Sequence, residues 1–549
     1  MDSQTSWVEA TLSTMDEASL VGQMLGIGFQ GPQVPPEVRQ WVASGRVGSV
    51  ILFAHNIASP AQVAGLTSEL QSLSPIPLLF LIDQEGGIVT RLHDPATVMP
   101  GQMALGATFD PQNAHRAATI LAREMRALGI HVNLAPVLDI QTDPAKAVMG
   151  IRSFGETADM VRDFGLAALI AYEQNGILAC LKHFPGKGDS NLDSHLYLPT
   201  IPHSRQRMAQ VELVPFRAAI DAGAGMVMTS HVLFPAYDAD LPATLSPHVL
   251  QGLLRGELSF QRLIATDALE MKAIADHFPA GRSGVLAALA GADLLLAPHG
   301  FDRQQDIYTA VLAALHSGEL PRSAVEQAVR RILAAKWRYA VAADGLYGPR
   351  PPLESVGCTE HRQAAQALAD ASITLVRDEA GLVPLRLPSE AQLAVIDFSL
   401  PRFSLVEEAR RTARLLHSEV QARHPRASLT SVTPQPTAAE RDQVLATTAE
   451  ADLLLVFTRN ADQFPEQASL VRELLGAGKP IVTVAMRNPF DLLAFPAAPT
   501  YLAAYGDATV TLSAVARALF GETSITGRLP VSLPGLYPRG HGLRSAQTE

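Results

Sequence analysis

Between Lys182 and His195 the chain reads KHFPGKGDSNLDSH, its densest run of side chains able to do chemistry. Two glycines and a proline within four residues make it a loop. Asp193 and His195 stand two residues apart, a spacing that puts both side chains on one side of an extended or turning segment. A carboxylate beside an imidazole stabilises the imidazolium and fixes the tautomer, which tunes a histidine to give and take a proton. The competing reading is an Asx-type turn followed by a solvated histidine. A second candidate, Asp267, follows the apolar run 263–265 and precedes ALEMKAIA (268–275), whose periodicity predicts a helix. Asp267 is either the N-cap of that helix or a carboxylate nucleophile. Covalent catalysis by a carboxylate needs a partner that donates and later removes a proton, and His195 would complete such a pair.

These residues need a frame. Eight short apolar runs lie at 24–29, 47–53, 77–82, 132–138, 177–181, 226–228, 263–265 and 292–296. Helix-like stretches separate them, among them 111–128, 158–174, 205–222 and 284–290. Apolar strands alternating with helices indicate a parallel sheet covered by helices. Eight such units predict an α/β fold of the (β/α)8 TIM-barrel type, with an open doubly wound sheet as the alternative. Barrels carry chemistry at the C-terminal ends of their strands. Five runs end there in polar residues: Asp83-Gln84-Glu85, Asp139, Lys182-His183, Thr229-Ser230-His231 and Thr266-Asp267. A single aspartate after a strand is often just a helix cap, but five such endings point to a convergent polar site. Of the remaining polar residues, His231 reads as a packing histidine. Glu85 reads as a turn-stabilising carboxylate, and Glu270 as a residue of the helix after Asp267.

DGLYGPRPP (344–352) is rich in turn residues and proline and reads as a linker. Alternation then resumes, with strand candidates at 393–398, 453–457, 480–486 and 500–505 and helix candidates at 405–416, 438–448 and 466–477. The expected organisation is a barrel over 1–343, a linker over 344–358, a smaller α/β domain over 359–540 and a polar tail over 541–549.

The 549 residues carry 43 Lys+Arg against 54 Asp+Glu, a formal net charge of −11. That balance argues against binding nucleic acid by counterion release and against a polybasic membrane anchor. Apolar residues make up 47 %, ordinary for a globular chain. No stretch is apolar for long enough to span a membrane. The N-terminal MDSQTSWVEATLSTMDEASL has neither the basic start nor the apolar core of a signal peptide, so a cytoplasmic protein is expected. Two cysteines are too few for a disulfide scaffold or a cysteine-rich zinc site. One bridge between them stays open, although Cys180, inside an apolar run, reads as a buried inert thiol.

The ordered set DQEGG with Arg91, NLAPVLD, IRSFG, KHFPGKGDSNLDSH and TDALEMKAI, over residues 80–275, resembles glycoside hydrolase family 3. TGRLPVSLPGLYPRGHGL near the C-terminus is similar to the family's second domain, an α/β sandwich. The DSH loop resembles the β-N-acetylglucosaminidase branch. The resemblance implies a retaining exo-β-N-acetylglucosaminidase with Asp267 as nucleophile, His195 as general acid/base and Asp193 orienting it. It implies that Asp83, Arg91, Arg152, Lys182 and His183 hold the terminal sugar. No metal or organic cofactor is implied, and the partner is an oligosaccharide ending in β-linked GlcNAc, from peptidoglycan recycling or from chitin. The family's usual GHG is Gly186-Lys187-Gly188 here; Lys187 reads as a solvated loop lysine, or as an ammonium beside the Asp193–His195 pair that would favour a phosphate. Four alternatives follow: a phosphorylase, a broader family 3 β-glucosidase, a metal-dependent hydrolase using the His/Asp cluster of 182–195, and a non-catalytic sugar-binding protein.

Overall fold

The computed structural model describes residues 2–146, 148–399, 402–408 and 412–545; residues 546–549 of the expected tail lie outside these. Every apolar run of the first half contains a strand: β1 (Leu25–Ile27), β2 (Ser49–Leu52), β3 (Leu79–Ile82), β4 (Val132–Asn133), β5 (Leu178–Phe184), β6 (Met226–Thr229), β7 (Leu263–Ala265) and β8 (Leu295–Ala297). All their residues are buried. That is why the strands read as continuous apolar runs rather than as alternating ones. Neighbours pair in parallel in the order β7-β6-β5-β4-β3-β2-β1-β8. A parallel bridge from Ala265 to Leu294, and a hydrogen bond from the Leu296 amide to Thr266 Oγ1 (2.9 Å), bring β8 back against β7 and close the ring. The barrel expectation therefore holds over the open sheet.

β4 is shorter than its run because Pro136 has no N–H to donate. Its chain continues beside β5 with Cys180 and Lys182 donating to the carbonyls of Ala135 and Pro136. The helix Pro111–Ala127 starts as its sequence suggests, with Asp110 accepting from the Gln112 amide and proline at the first position. The predicted helix 205–222 divides into Arg205–Gln210 and Leu213–Asp221. Pro215 cannot donate to the carbonyl of Val211, so one continuous helix cannot pass there. The helix predicted over 268–275 shrinks to Lys272–Ala275, which leaves Glu270 in a turn. Barrel groups claim the backbone ahead of it: the Leu269 amide donates to the Leu296 carbonyl (2.9 Å), and His231 Nε2 meets the Ala268 carbonyl (2.9 Å).

The second half forms a six-stranded sheet ordered β11-β10-β12-β13-β14-β9. Its strands are β9 (Thr374–Asp378), β10 (Leu393–Phe398), β11 (Ala427–Val432), β12 (Leu453–Thr458), β13 (Ile481–Ala485) and β14 (Thr500–Ala503). All pair in parallel except β9, antiparallel to β14. Separate apolar cores on its two faces make this an α/β sandwich. β9 and β11 escape the sequence reading because they are edge strands and β11 has exposed positions, so neither is a plain apolar run. The helix expected over 405–416 is displaced to Ala413–Gln421. Residues 402–408 instead form an irregular strap, and 409–411 lie outside the described residues.

The stretch 344–358 lies against the barrel: Arg126 Nη2 donates to the Gly348 carbonyl (2.7 Å) and the Gly357 amide to Glu124 Oε1 (2.9 Å). The helix Thr359–Ser372 belongs to both halves. Ala365 and Leu368 pack in the barrel core, and Ala369 packs in the core of the second sheet. Cys180 and Cys358 are both free. Among the described residues no helix is long and apolar enough to cross a membrane.

Candidate active site

The C-terminal ends of the barrel strands surround a cavity of about 480 Å³, lined among others by Asp83, Arg91, Arg152, Lys182, His183, His195 and Asp267. Seven of the eight residues singled out from the sequence thus share one cavity, and the eighth, Asp193, is bonded to His195.

One wall is a net of opposite charges. Lys182, on β5, reaches Asp83 Oδ1 (2.8 Å) and Glu85 Oε1 (2.7 Å). Arg152 grips Glu85 with two bonds, Nε to Oε2 (2.9 Å) and Nη2 to Oε1 (2.7 Å). Arg91 Nη2 lies 3.6 Å from Asp83 Oδ2. Burial would raise both carboxyls, but the cations beside them hold Asp83 and Glu85 below the ordinary carboxylate range. Burial likewise opposes the charge of Lys182, and the two carboxylates restore it and push it up. Glu85, read from sequence as a turn residue, is the hub of this net. DQEGG gave a signal, a carboxylate at a strand end, but the basic partners lie far along the chain.

His183 follows Lys182 through a cis peptide, and its Nδ1 is 2.7 Å from Asp139 Oδ2. Burial, with Lys187, Arg152 and Lys182 nearby, puts His183 well below the usual histidine value, so the ring is neutral. Its proton sits on Nδ1 facing Asp139, and Nε2 is left as an acceptor. Asp139 is itself pushed up to about 6 by burial, against the pull of Lys187 and Arg152.

The same cavity is lined by His195, which pairs with Asp193. His195 Nδ1 lies 2.7 Å from Asp193 Oδ1, which also accepts from the His195 amide (2.9 Å). The same carboxylate oxygen thus makes both the Asx-type turn and the pairing, but His195 is 19 % exposed in the cavity rather than solvated. The other oxygen, Oδ2, accepts from Ser404 Oγ (2.8 Å), a residue of the second domain. Burial would raise Asp193, but the bonds from His195 and Ser404 hold it below the usual range.

Asp267 sits just past β7 with Oδ1 accepting from the Ala268 amide (2.8 Å). Burial opposes its charge, while Lys187, His231 and His195 lower its pKa. His231 is buried between Thr244 Oγ1 (2.8 Å) and the Ala268 carbonyl (2.9 Å), so it fixes the peptide that follows Asp267. Lys187 corrects the sequence reading. It is 5 % exposed rather than solvated, and its Nζ points at Asp267 Oδ2 (3.9 Å). Glu270, in its turn, has one oxygen bonded to the His299 amide (2.8 Å) and the other buried without a partner among the described residues; burial pushes its carboxyl up to about 8.

The strap closes the cavity from the second domain. Arg91 Nη1 donates to the Val406 carbonyl (2.7 Å) and to Glu408 Oε1 (2.9 Å). Glu407 is buried against Arg487, whose guanidinium lies over the Phe403 ring (5.8 Å). Glu408 escaped sequence reasoning because 405–416 was expected to be helical, and Ser404, just ahead of it, lies in no motif.

The two histidines of 182–195 each take a separate carboxylate, His183 taking Asp139 and His195 taking Asp193. Among the described residues, Asp189, His203 and Glu212 are grouped closely enough to hold a metal ion. There His203 Nε2 already bonds Asp189 Oδ2 (2.7 Å), and Arg207 Nη2 sits on Glu212 Oε1 (3.0 Å).

Residues 15–335 match the family model described as the glycosyl hydrolase family 3 N terminal domain, and residues 373–539 match the family 3 C-terminal domain. The chain is 31 % identical to Beta-hexosaminidase A of Pseudoalteromonas piscicida, covering 91 % of each chain. It is 29 % identical to a Beta-N-acetylglucosaminidase/beta-glucosidase of Cellulomonas fimi, covering 96 % of each. Among solved structures, a family 3 beta-N-acetylglucosaminidase from Paenibacillus sp. str. FPU-7 superposes with a TM-score of 0.88 at 38 % identity, covering 95 % of this chain and 99 % of that one.

Proposed function

The chain belongs to glycoside hydrolase family 3, and from that premise we propose that it is a retaining exo-β-N-acetylglucosaminidase. The observation that carries this reading is the Asp193–His195 pair at 2.7 Å, with His195 lining the same cavity as the ionised Asp267. Asp267 attacks the anomeric carbon while protonated His195, steadied by Asp193, gives its proton to the departing oxygen. A glycosyl–Asp267 intermediate forms with inversion. His195 then takes a proton from water as the water oxygen attacks, and a second inversion restores the β configuration. The named activities of the relatives support a 2-acetamido sugar as the group transferred.

The charged wall would hold that sugar. Two of the three Lys182 protons go to Asp83 and Glu85, which leaves one for a hydroxyl. His183 Nε2 offers an acceptor, and Asp83, Arg91 and Arg152 complete the set. Because these charges already pair with one another, they are fixed before the sugar arrives. The oligosaccharide comes from peptidoglycan recycling in the cytoplasm, or from chitin.

Side-by-side kinetics on aryl β-GlcNAc and aryl β-glucoside test the assignment. A site built on polar partners rejects an analogue lacking its group strongly, so kcat/KM should favour β-GlcNAc by at least ~10²-fold. Equal rates make the enzyme a broad β-glucosidase instead. Running the same assay with and without inorganic phosphate separates transfer to water from transfer to phosphate.

A further inference from the structure

We propose that Lys187 is a positioning residue for the second half of the reaction, its buried ammonium stabilising the carboxylate that Asp267 becomes again when water displaces it from the sugar. The inference rests on the reading of Asp267 as nucleophile.

The loop around Lys187 is built to put it there. Gly186 has φ +117°, a conformation that side-chain-bearing residues rarely adopt, and its amide donates to the His183 carbonyl (2.8 Å). Gly188 is pressed against β4's continuation so closely that a Cβ would stand 1.9 Å from the Ile140 carbonyl oxygen. Between them the Lys187 amide donates to the buried Asp139 Oδ1 (2.6 Å). Backbone is held at three successive residues, and the Lys187 side chain among them is buried. Its ammonium ends 3.9 Å from Asp267 Oδ2, the oxygen not bonded to the Ala268 amide. Asp267 is the single carboxylate within 4.0 Å of it among the described residues. Burial and Arg152 push the Lys187 pKa below the usual lysine value, against the pull of Asp267, Asp139 and Asp193, which favour the ammonium.

A cation at that distance acts on the two half-reactions in opposite senses. In the first, an Asp267 oxygen gives its electron pair to the anomeric carbon, and a neighbouring ammonium makes that pair less available. In the second, the bond from the anomeric carbon to the Asp267 oxygen breaks and its pair returns to the carboxylate. A water oxygen bonds to the carbon, and its proton goes to His195. There the ammonium, itself buried, stabilises the charge that develops on the leaving carboxylate. Lys187 should therefore speed release of the sugar and slow, or leave alone, its capture.

A 5-fluoro β-N-acetylglucosaminyl fluoride, which keeps the acetamido group and retards both steps, reads the two separately. Wild type, Lys187→Met, Lys187→Gln and Lys187→Arg would be labelled and the adduct located by mass spectrometry. Excess probe would then be removed and the return of activity timed. In the Met and Gln variants the adduct should form at least as fast as in wild type, while reactivation slows by at least about tenfold. Lys187→Arg should restore most of the reactivation rate. Equal slowing of both steps, or unchanged reactivation, overturns the proposal and leaves Lys187 a packing residue. Absence of the adduct from the Asp267 peptide of wild type instead overturns the nucleophile assignment itself.

Discussion

Asp193 has each of its oxygens committed: one to the His195 ring and amide, the other to Ser404. A carboxylate held this way has little freedom to do anything except orient the imidazole. Asp193→Ala should therefore cost most on substrates with poor leaving groups, which need full protonation of the departing oxygen. On an activated aryl glycoside the loss should be at least about tenfold smaller. A matching loss on both, measured as kcat/KM across a leaving-group series, would make Asp193 only a shaper of the loop. Glu270 gives a prediction of the opposite electrostatic kind. Its carboxyl keeps its proton up to about pH 8, whereas the unfolded chain releases it near 4.5. The native state thus binds more protons across that window, and stability from this group is lost as pH rises from about 4.5 to 8. Glu270→Gln, which copies the protonated form, should gain on wild type by at most about 1.4 kcal/mol per pH unit in that window and level off above it. Melting curves at pH 5, 6.5 and 8 on both proteins would show a widening gap; a constant gap refutes it. At this scale the Asp193–His195 pair was legible because its geometry is local, two residues within one turn. The burial of Lys187 was not, because Ile140 and Asp139 create it from far along the chain.

The strap at 402–408 shows what element-level reading misses. Its apolar and charged residues suit a helix on paper, but four of its polar groups are claimed by distant partners. Glu407 goes to Arg487, Glu408 and the Val406 carbonyl to Arg91, and Ser404 to Asp193. Three anchors to two domains outbid a helix that would bury little. The barrel strands were legible for the converse reason: full burial writes itself into composition, and every apolar run holds a strand. Edge strands β9 and β11 are only partly buried and leave a fainter trace. The strap also makes a measurable claim. Ser404→Ala removes one hydrogen bond to a charged group and should lower kcat on poor-leaving-group substrates roughly tenfold. The effect should vanish in the Asp193→Ala background, since both changes act through the same carboxylate. Additive losses would separate Ser404 from the pair.

At the scale of the whole molecule, the two sheets are bound by more than a strap. The helix Thr359–Ser372 packs Ala365 and Leu368 into one core and Ala369 into the other, and His361 Nδ1 lies 2.8 Å from Glu124 Oε1 in the barrel. A helix common to two cores couples their melting, so calorimetry should record one cooperative transition. Two resolved transitions would show that the halves unfold independently. Composition shows a turn-rich stretch between the halves but not that they share an element, because an amphipathic helix does not announce which core each face will meet. The strap has one more consequence, in time rather than in space. Asp193 and Arg91 leave the ribosome some two to three hundred residues before Ser404 and Glu408. Domains fold largely in order of synthesis, so the barrel strands can pair while these contacts are still untranslated. During that interval all eight barrel strands exist while Asp193 still lacks Ser404 and Arg91 still lacks Glu408.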